Sequence, residues 1–208
     1  MYRLALIIIL VIAGILWAAD SWSQSIPRNA YKYQRDIIRN ARAVWGLTGP
    51  VATFAGQIHQ ESAWREDAQS PYAGGLAQFT PDTAKWISQT YNDELAANTP
   101  FEPQWALRAL VRYDKHLWDR VAGLTECDKM AFVLSAYNGG LGWVNRDKAK
   151  AEAAGQDPEV YWYSVELYNA GRGEAFFREN RGYPRRILLK LQDLYGWWGP
   201  AINCTGVT

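Results

Sequence analysis

Apolar residues recur at helical rather than alternating spacing along nearly all of this chain. Tyr33, Ile37, Ala41, Val44 and Trp45 form one stripe, and Gly46 stops it. Pro50, read as a first helical position, opens a segment whose Val51, Phe54, Ala55 and Ile58 share a face. Thr80-Pro81 reads as a cap followed by proline in the first turn, starting a helix through Ala84, Ile87 and Tyr91. Pro103 starts a longer one through Leu107, Leu110, Asp114, Leu117 and Val121. Thr125 to Tyr137 carries Met130, Val133, Leu134 and Tyr137, and Asn138-Gly139-Gly140 is read as its break. Asp157-Pro158 is expected to cap a further helix, and Pro184 to start the last, with Ile187, Leu188, Leu191 and Leu194 inward. The fold class is mainly all-α, with at most a small β-hairpin or loop near residues 70–78.

One polar residue breaks the pattern. On the segment after Pro50, Glu61 projects within roughly 20° of Phe54 and about 60° from Ile58 at a helical 100° per residue. A carboxylate turned toward a core has its charged form desolvated, which raises its pKa and keeps a proton available near neutral pH. That is what a general acid requires. The competing reading is a helix-end glutamate that bends out to water.

Length and composition narrow the field. The 208 residues suffice for one domain with a sizeable core, and a net charge of +1 argues against a nucleic-acid partner. The 11 Trp and 12 Tyr fit a core, and equally a groove where sugar faces stack on rings. Arg3 precedes an apolar run from Leu4 to Ala19, with small residues Ala18, Ala19 and Ser21 at its end. As a helix that run reaches only about 24 Å, short of a bilayer core, so residues 1–21 read as a signal peptide or a signal-anchor. The rest divides into a linker (22–27), a domain (28–198) and a C-terminal tail (199–208). The expected location is outside the cytoplasm, free in the periplasm or tethered to the inner membrane through residues 4–19. Cys127 and Cys204 are the only cysteines. An exported chain makes one disulfide between them the economical reading, with two buried thiols as the alternative. Two cysteines and the dispersed His59 and His116 cannot build a metal cage, so no metal or cofactor is expected.

Four patterns then occur in order: Glu61-Ser62-Ala63-Trp64; Ser70 with Gly75-Leu76-Ala77-Gln78-Phe79 and Thr80-Pro81-Asp82-Thr83-Ala84; Ala136-Tyr137-Asn138-Gly139-Gly140; and Glu179-Asn180-Arg181-Gly182-Tyr183. In these the chain resembles the soluble lytic transglycosylase (SLT) family, over about residues 28–198. The resemblance implies a lysozyme-like helical domain acting on peptidoglycan glycan strands. Glu61 would be the sole acid and base, cleaving the MurNAc-β-1,4-GlcNAc bond and leaving a 1,6-anhydro end without cofactor. It further implies that Ser70, Gln78, Phe79, Tyr137, Asn138, Glu179 and Tyr183 bind substrate, with Tyr137 beside the glutamate. Four of them have a plainer reading: Ser70 as a turn initiator, Gln78 as a loop amide, Tyr137 as core, Glu179 as an ion-paired surface group. Ser62 is read as structural. The loop Ala73-Gly74-Gly75-Leu76-Ala77-Gln78 is one residue shorter than the family's usual form and has Ala77 for methionine. Two rival functions share these residues: a goose-type hydrolase, with Asp67 as the candidate to activate water, and a non-catalytic glycan-binding part of an envelope apparatus. A compact domain behind one export segment suits phage lysis, a secretion or conjugation apparatus, or wall remodelling.

Overall fold

The computed structural model describes residues 25–207. The export segment read over residues 1–21 and the first half of the linker, 22–24, lie outside the described residues. Helices α1 (Ala30–Trp45), α2 (Val51–Ser62), α3 (Pro81–Thr90), α4 (Asn92–Leu95), α5 (Pro103–Trp118), α6 (Glu126–Gly139), α7 (Leu141–Ala153), α8 (Glu174–Arg186) and α9 (Gln192–Leu194) follow in order. A 3₁₀ turn at Val165–Leu167 precedes α8, and a π-helical stretch at Ile187–Leu191 joins α8 to α9. Among the described residues, strand pairing is confined to isolated antiparallel bridges, Gln69 with Gly74 and Gly74 with Phe79.

Local chemistry sets the helix ends. The hydroxyls of Thr80 and Thr125 accept the backbone N–H of Thr83 and Asp128 at 3.2 and 3.0 Å, capping α3 and α6. Pro50 sits one residue outside α2, at the cap rather than in the first turn. Tyr91 is the residue after α3, and Val121 lies beyond the end of α5 although it is buried.

α1 packs on α5 and α2, and α6 packs on α8, α7 and α5. One apolar cluster gathers Ile37, Phe54, Ile58, Leu107 and Leu110; a second gathers Met130, Phe132, Leu134, Tyr161 and Ile187. Trp45, Tyr113 and Tyr137 touch both clusters. α2 is the central helix: Val51 through His59 are all buried. Its glutamate therefore owes its surroundings to a helix enclosed on every side, more than to the single apolar face that the spacing suggested.

Three sequence expectations fail for identifiable reasons. No helix starts at Asp157-Pro158, where the chain turns instead. The backbone N–H groups of Tyr161 and Trp162 go to Asp128 Oδ1 at 2.9 and 3.4 Å, so a tertiary carboxylate takes the donors that a helix would need. Pro184 does not begin the last helix; it lies inside α8. Its ring offers no N–H to the carbonyl of Asn180, and the next residues widen into the π stretch. Asn138 and Gly139 remain helical, and the break comes at Gly140, with φ of 93°. A Cβ at Gly139 would lie 2.7 Å from the Asn180 amide nitrogen, so that glycine serves the close approach of α8. α7, which follows at once, was not anticipated.

The tail closes over the start of α2. Ala52 N–H donates to Pro200 O at 2.9 Å, Ile202 N–H to Thr53 Oγ1 at 3.1 Å, and Gln192 Nε2 to Ile202 O at 2.9 Å. A disulfide then joins Cys204 to Cys127, in the first turn of α6.

Candidate active site

α2 ends immediately after Glu61, and the ending is unusual. Ala63 and Trp64, neither a glycine, take left-handed conformations with φ of 49° and 62°. Each such residue costs about 1 kcal/mol or more, so packing must hold it. The Trp64 indole supplies that packing: it is fully buried against Tyr33, Tyr195 and Trp198, and its Nε1 donates to Tyr195 Oη at 2.7 Å. The same Tyr195 oxygen meets His59 Nδ1 at 3.0 Å, tying the motif back to α2 itself. Ser62 donates to Ile58 O at 3.3 Å inside the helix, a structural role.

Glu61 opens on a cleft of about 730 Å³. Ser70, Gln78, Phe79, Tyr137, Asn138, Glu179 and Tyr183 all line it with Glu61, so the residues singled out in the sequence meet in one place. Burial pushes the Glu61 carboxyl up to about 8; Tyr183, whose hydroxyl donates to Oε1, pulls it down, and nearby Glu179 pushes it further up. One turn back on α2, Gln57 Nε2 donates to fully buried Asp114 at 3.4 Å. Burial holds the Asp114 carboxyl well above the usual carboxylate range.

The structure redistributes several roles. The Tyr137 hydroxyl donates to Ala77 O at 2.7 Å, and the contact with Glu61 belongs to Tyr183. The Tyr137 and Tyr183 rings lie nearly parallel, 6.4 Å apart, with burial raising both hydroxyls well above their ordinary pKa. Tyr137 thus anchors the Gly-rich loop to the end of α6. Gln78, itself left-handed with φ of 48°, spends both amide hydrogens inside that loop, on Ala68 O at 3.0 Å and Gly75 O at 2.9 Å. Ser70 accepts Tyr72 and Ala73 N–H at 3.3 and 3.0 Å, organising its own turn at the cleft edge. Glu179 is exposed on the cleft wall, and among the described residues it forms no ion pair. Asp67, the candidate for activating water, is exposed and is not among the residues lining the cleft.

Asn180 was missed as a separate residue, although it sits inside the quoted Glu179-to-Tyr183 pattern. Its Oδ1 accepts Ser135 Oγ and Arg181 Nη1, both at 2.7 Å; its Nδ2 donates to Ser135 O at 2.8 Å and Asn138 Oδ1 at 3.0 Å. By engaging the Asn138 oxygen it leaves the Asn138 amide hydrogens for the cleft. Trp143 and Phe176 also line the cleft, and no local motif marked them. No group of three or more His, Cys, Asp or Glu is placed to hold a metal among the described residues.

Replacing Tyr183 with Phe should move the Glu61 titration midpoint to higher pH. The hydroxyl favours the ionised carboxylate, and its loss leaves desolvation unopposed. Carboxyl-carbon NMR of the two proteins measures this, and an unmoved or lowered midpoint would contradict the contact.

Residues 43–160 match the family described as Transglycosylase SLT domain. Membrane-bound lytic murein transglycosylase F of Vibrio campbellii is 28% identical over 159 residues, covering 69% of this chain and 28% of that protein. The protein of the same name from Marinobacter nauticus is 30% identical over 196 residues, covering 90% of this chain and 36% of that protein. The chain thus spans roughly a third of the length of these relatives. Among solved structures, the 70 kDa soluble lytic transglycosylase SLT70 from Escherichia coli matches with a TM-score of 0.55 and 20% identity, over 82% of this chain and 26% of that one. At that identity the likeness speaks for the fold.

Proposed function

This chain belongs to the transglycosylase SLT domain family, and from that premise we propose that it cleaves peptidoglycan glycan strands as a lytic transglycosylase. The observation that carries the reading is that Glu61 is the desolvated carboxyl opening on the cleft, held by the Tyr183 hydroxyl, with the exposed Glu179 as the other acid on the cleft wall. Glu61 gives its proton to the glycosidic oxygen as the C1–O bond breaks, so that the leaving sugar departs with a neutral hydroxyl. The N-acetyl oxygen of the same muramic acid shares the positive charge at C1. Glu61, now a carboxylate steadied by Tyr183, takes the proton from the C6 hydroxyl, whose oxygen closes on C1. The proton count balances, no water is consumed, and the product is a 1,6-anhydro end. Proximity within one sugar replaces the ordered water that a hydrolase must hold.

Asn138, set by Asn180, is suited to hold the glycan through its amide, while Phe79, buried against Trp105, Tyr113 and Tyr137, supports the cleft from below. Peptidoglycan lies outside the cytoplasmic membrane, so action in the periplasm, free or tethered, is part of the same proposal. Service to phage lysis or to a secretion or conjugation apparatus stays within it.

Digestion of purified peptidoglycan in water enriched with heavy oxygen tests the chemistry. The new muramic acid ends should carry no label at C1 and should be lighter by one water than hydrolysed ends. Label at C1 would mean that water had attacked, with Glu179 as the cleft acid available to activate it, and the protein would be a hydrolase.

A further inference from the structure

The face of α8 turned to the cleft ends in an arginine that the cleavage chemistry leaves without a task. Glu179, Gly182, Tyr183 and Arg186 stand at helical offsets 0, 3, 4 and 7 and so share one side of the helix. Arg186 lies back across Gly182, where an added Cβ would come within 2.7 Å of its Nη1. Its Nε donates at 2.8 Å to Gln60 Oε1, on the residue before Glu61, and both side chains line the cleft. The guanidinium is therefore steadied from two helices while its Nη groups remain at the cleft. Among the described residues no carboxylate lies within ion-pair distance of it.

A second observation points the same way. Arg172 also lines the cleft, with its side chain buried. Arg172 and Arg181 both reach the same oxygen of buried Asp147, each at 2.7 Å, so two buried cations share one carboxylate. Arg172 Nε and Nη1 are buried without a hydrogen-bond partner. A positive charge in excess inside a protein is costly unless an anion comes within its reach. The acids on the cleft wall, Glu61 and Glu179, pair with neither arginine.

We infer that Arg186 is a specificity contact for a free carboxylate carried by the substrate, with the surplus charge of Arg172 reinforcing the attraction. A planar guanidinium fork suits a carboxylate in a way that a point charge does not. Resting on the peptidoglycan reading above, that carboxylate belongs to the peptide stem, because the lactyl carboxyl of each stem-bearing muramic acid is taken up in its amide bond to the stem. The cleft then distinguishes strands with ionised stem carboxylates from strands whose stems are neutral.

The test compares kcat/KM on stem-bearing strands with kcat/KM on the same strands after their stem carboxylates have been amidated. In Arg186→Gln the ratio of the two should fall by about ten- to a hundred-fold, the scale of a charge-assisted hydrogen bond. Arg186→Lys, which restores charge without the fork, should recover part of it. An unchanged ratio in Arg186→Gln would overturn the inference. A second arm needs no turnover: binding of a soluble disaccharide–tetrapeptide to Glu61→Gln protein that keeps Arg186, against the same ligand with its stem carboxylates amidated. Weaker binding of the amidated ligand supports the contact, and equal affinity overturns it. Failure of the unmodified protein to cleave either strand would count against the peptidoglycan activity, while the binding arm still decides the contact.

Discussion

Glu61→Gln should abolish glycan cleavage and leave a protein at least as stable as the original. The amide keeps the size of the side chain and a hydrogen-bonding oxygen for Tyr183, but it cannot give up and recover a proton. General acid–base steps contribute about a hundred- to ten-thousand-fold, so residual clearing of a peptidoglycan suspension should be below about a hundredth of the original. The stability half follows from the raised pKa. A carboxyl that titrates near 8 when folded and near 4.5 when unfolded favours folding while it is protonated. That contribution is complete below about pH 4.5 and is lost progressively as pH rises through 8. The glutamine variant has no such loss. Its melting temperature should match the original near pH 4 and exceed it at pH 8, by an amount reflecting a few kcal/mol at most. A folded variant that still clears peptidoglycan would remove Glu61 from the mechanism, and parallel melting curves at all pH values would mean that the carboxyl is not desolvated.

The second large effect concerns the disulfide. Cys127 and Cys204 are separated by 77 residues, so reduction releases a long loop in the unfolded chain. Opening such a loop costs about 3 kcal/mol of stability, or roughly 10 °C in melting temperature for a chain of this size. The Cys127→Ser/Cys204→Ser protein, or the original with reductant, should show that drop. Buried Trp162 donates to Cys127 Sγ at 3.1 Å, so its fluorescence should report the same transition. Coincident melting with and without reductant would mean that the cross-link contributes nothing.

The helical class, the cap at Thr80, and the set of residues around Glu61 were legible because each depends on neighbours in sequence. Periodicity reveals a buried face, and short motifs keep their offsets whatever surrounds them. The failures share one cause, which is partners distant in sequence. Asp128 takes the donors of Tyr161 and Trp162, 33 and 34 residues away, and so cancels the helix that Asp157-Pro158 promised. Pro184 resembles a helix start until α8 is seen to need Glu179 and Tyr183 on one continuous face. Tyr137 shares the cleft with Glu61 as its motif implied, but which tyrosine hydroxyl meets the carboxyl was not legible: Ala77 O takes that of Tyr137, and Tyr183 donates to Glu61. Asn180 and Asp147 work through contacts that no local pattern encodes.

Glu61 and Asn138 each stand one residue before the end of a helix, α2 and α6, and both helices run out at the cleft. The first turns of α3, α7 and α8 open on the same cleft through Thr80 and Thr83, Trp143, and Gly173 and Phe176. Aligned peptide dipoles leave about half a negative charge at the C-terminal end of a helix and about half a positive charge at its N-terminal end. The cleft wall therefore carries backbone charge of both signs, which no side-chain substitution removes. Glu61 stands in the last turn of α2, so the end of its own helix adds to burial in opposing the ionised carboxylate.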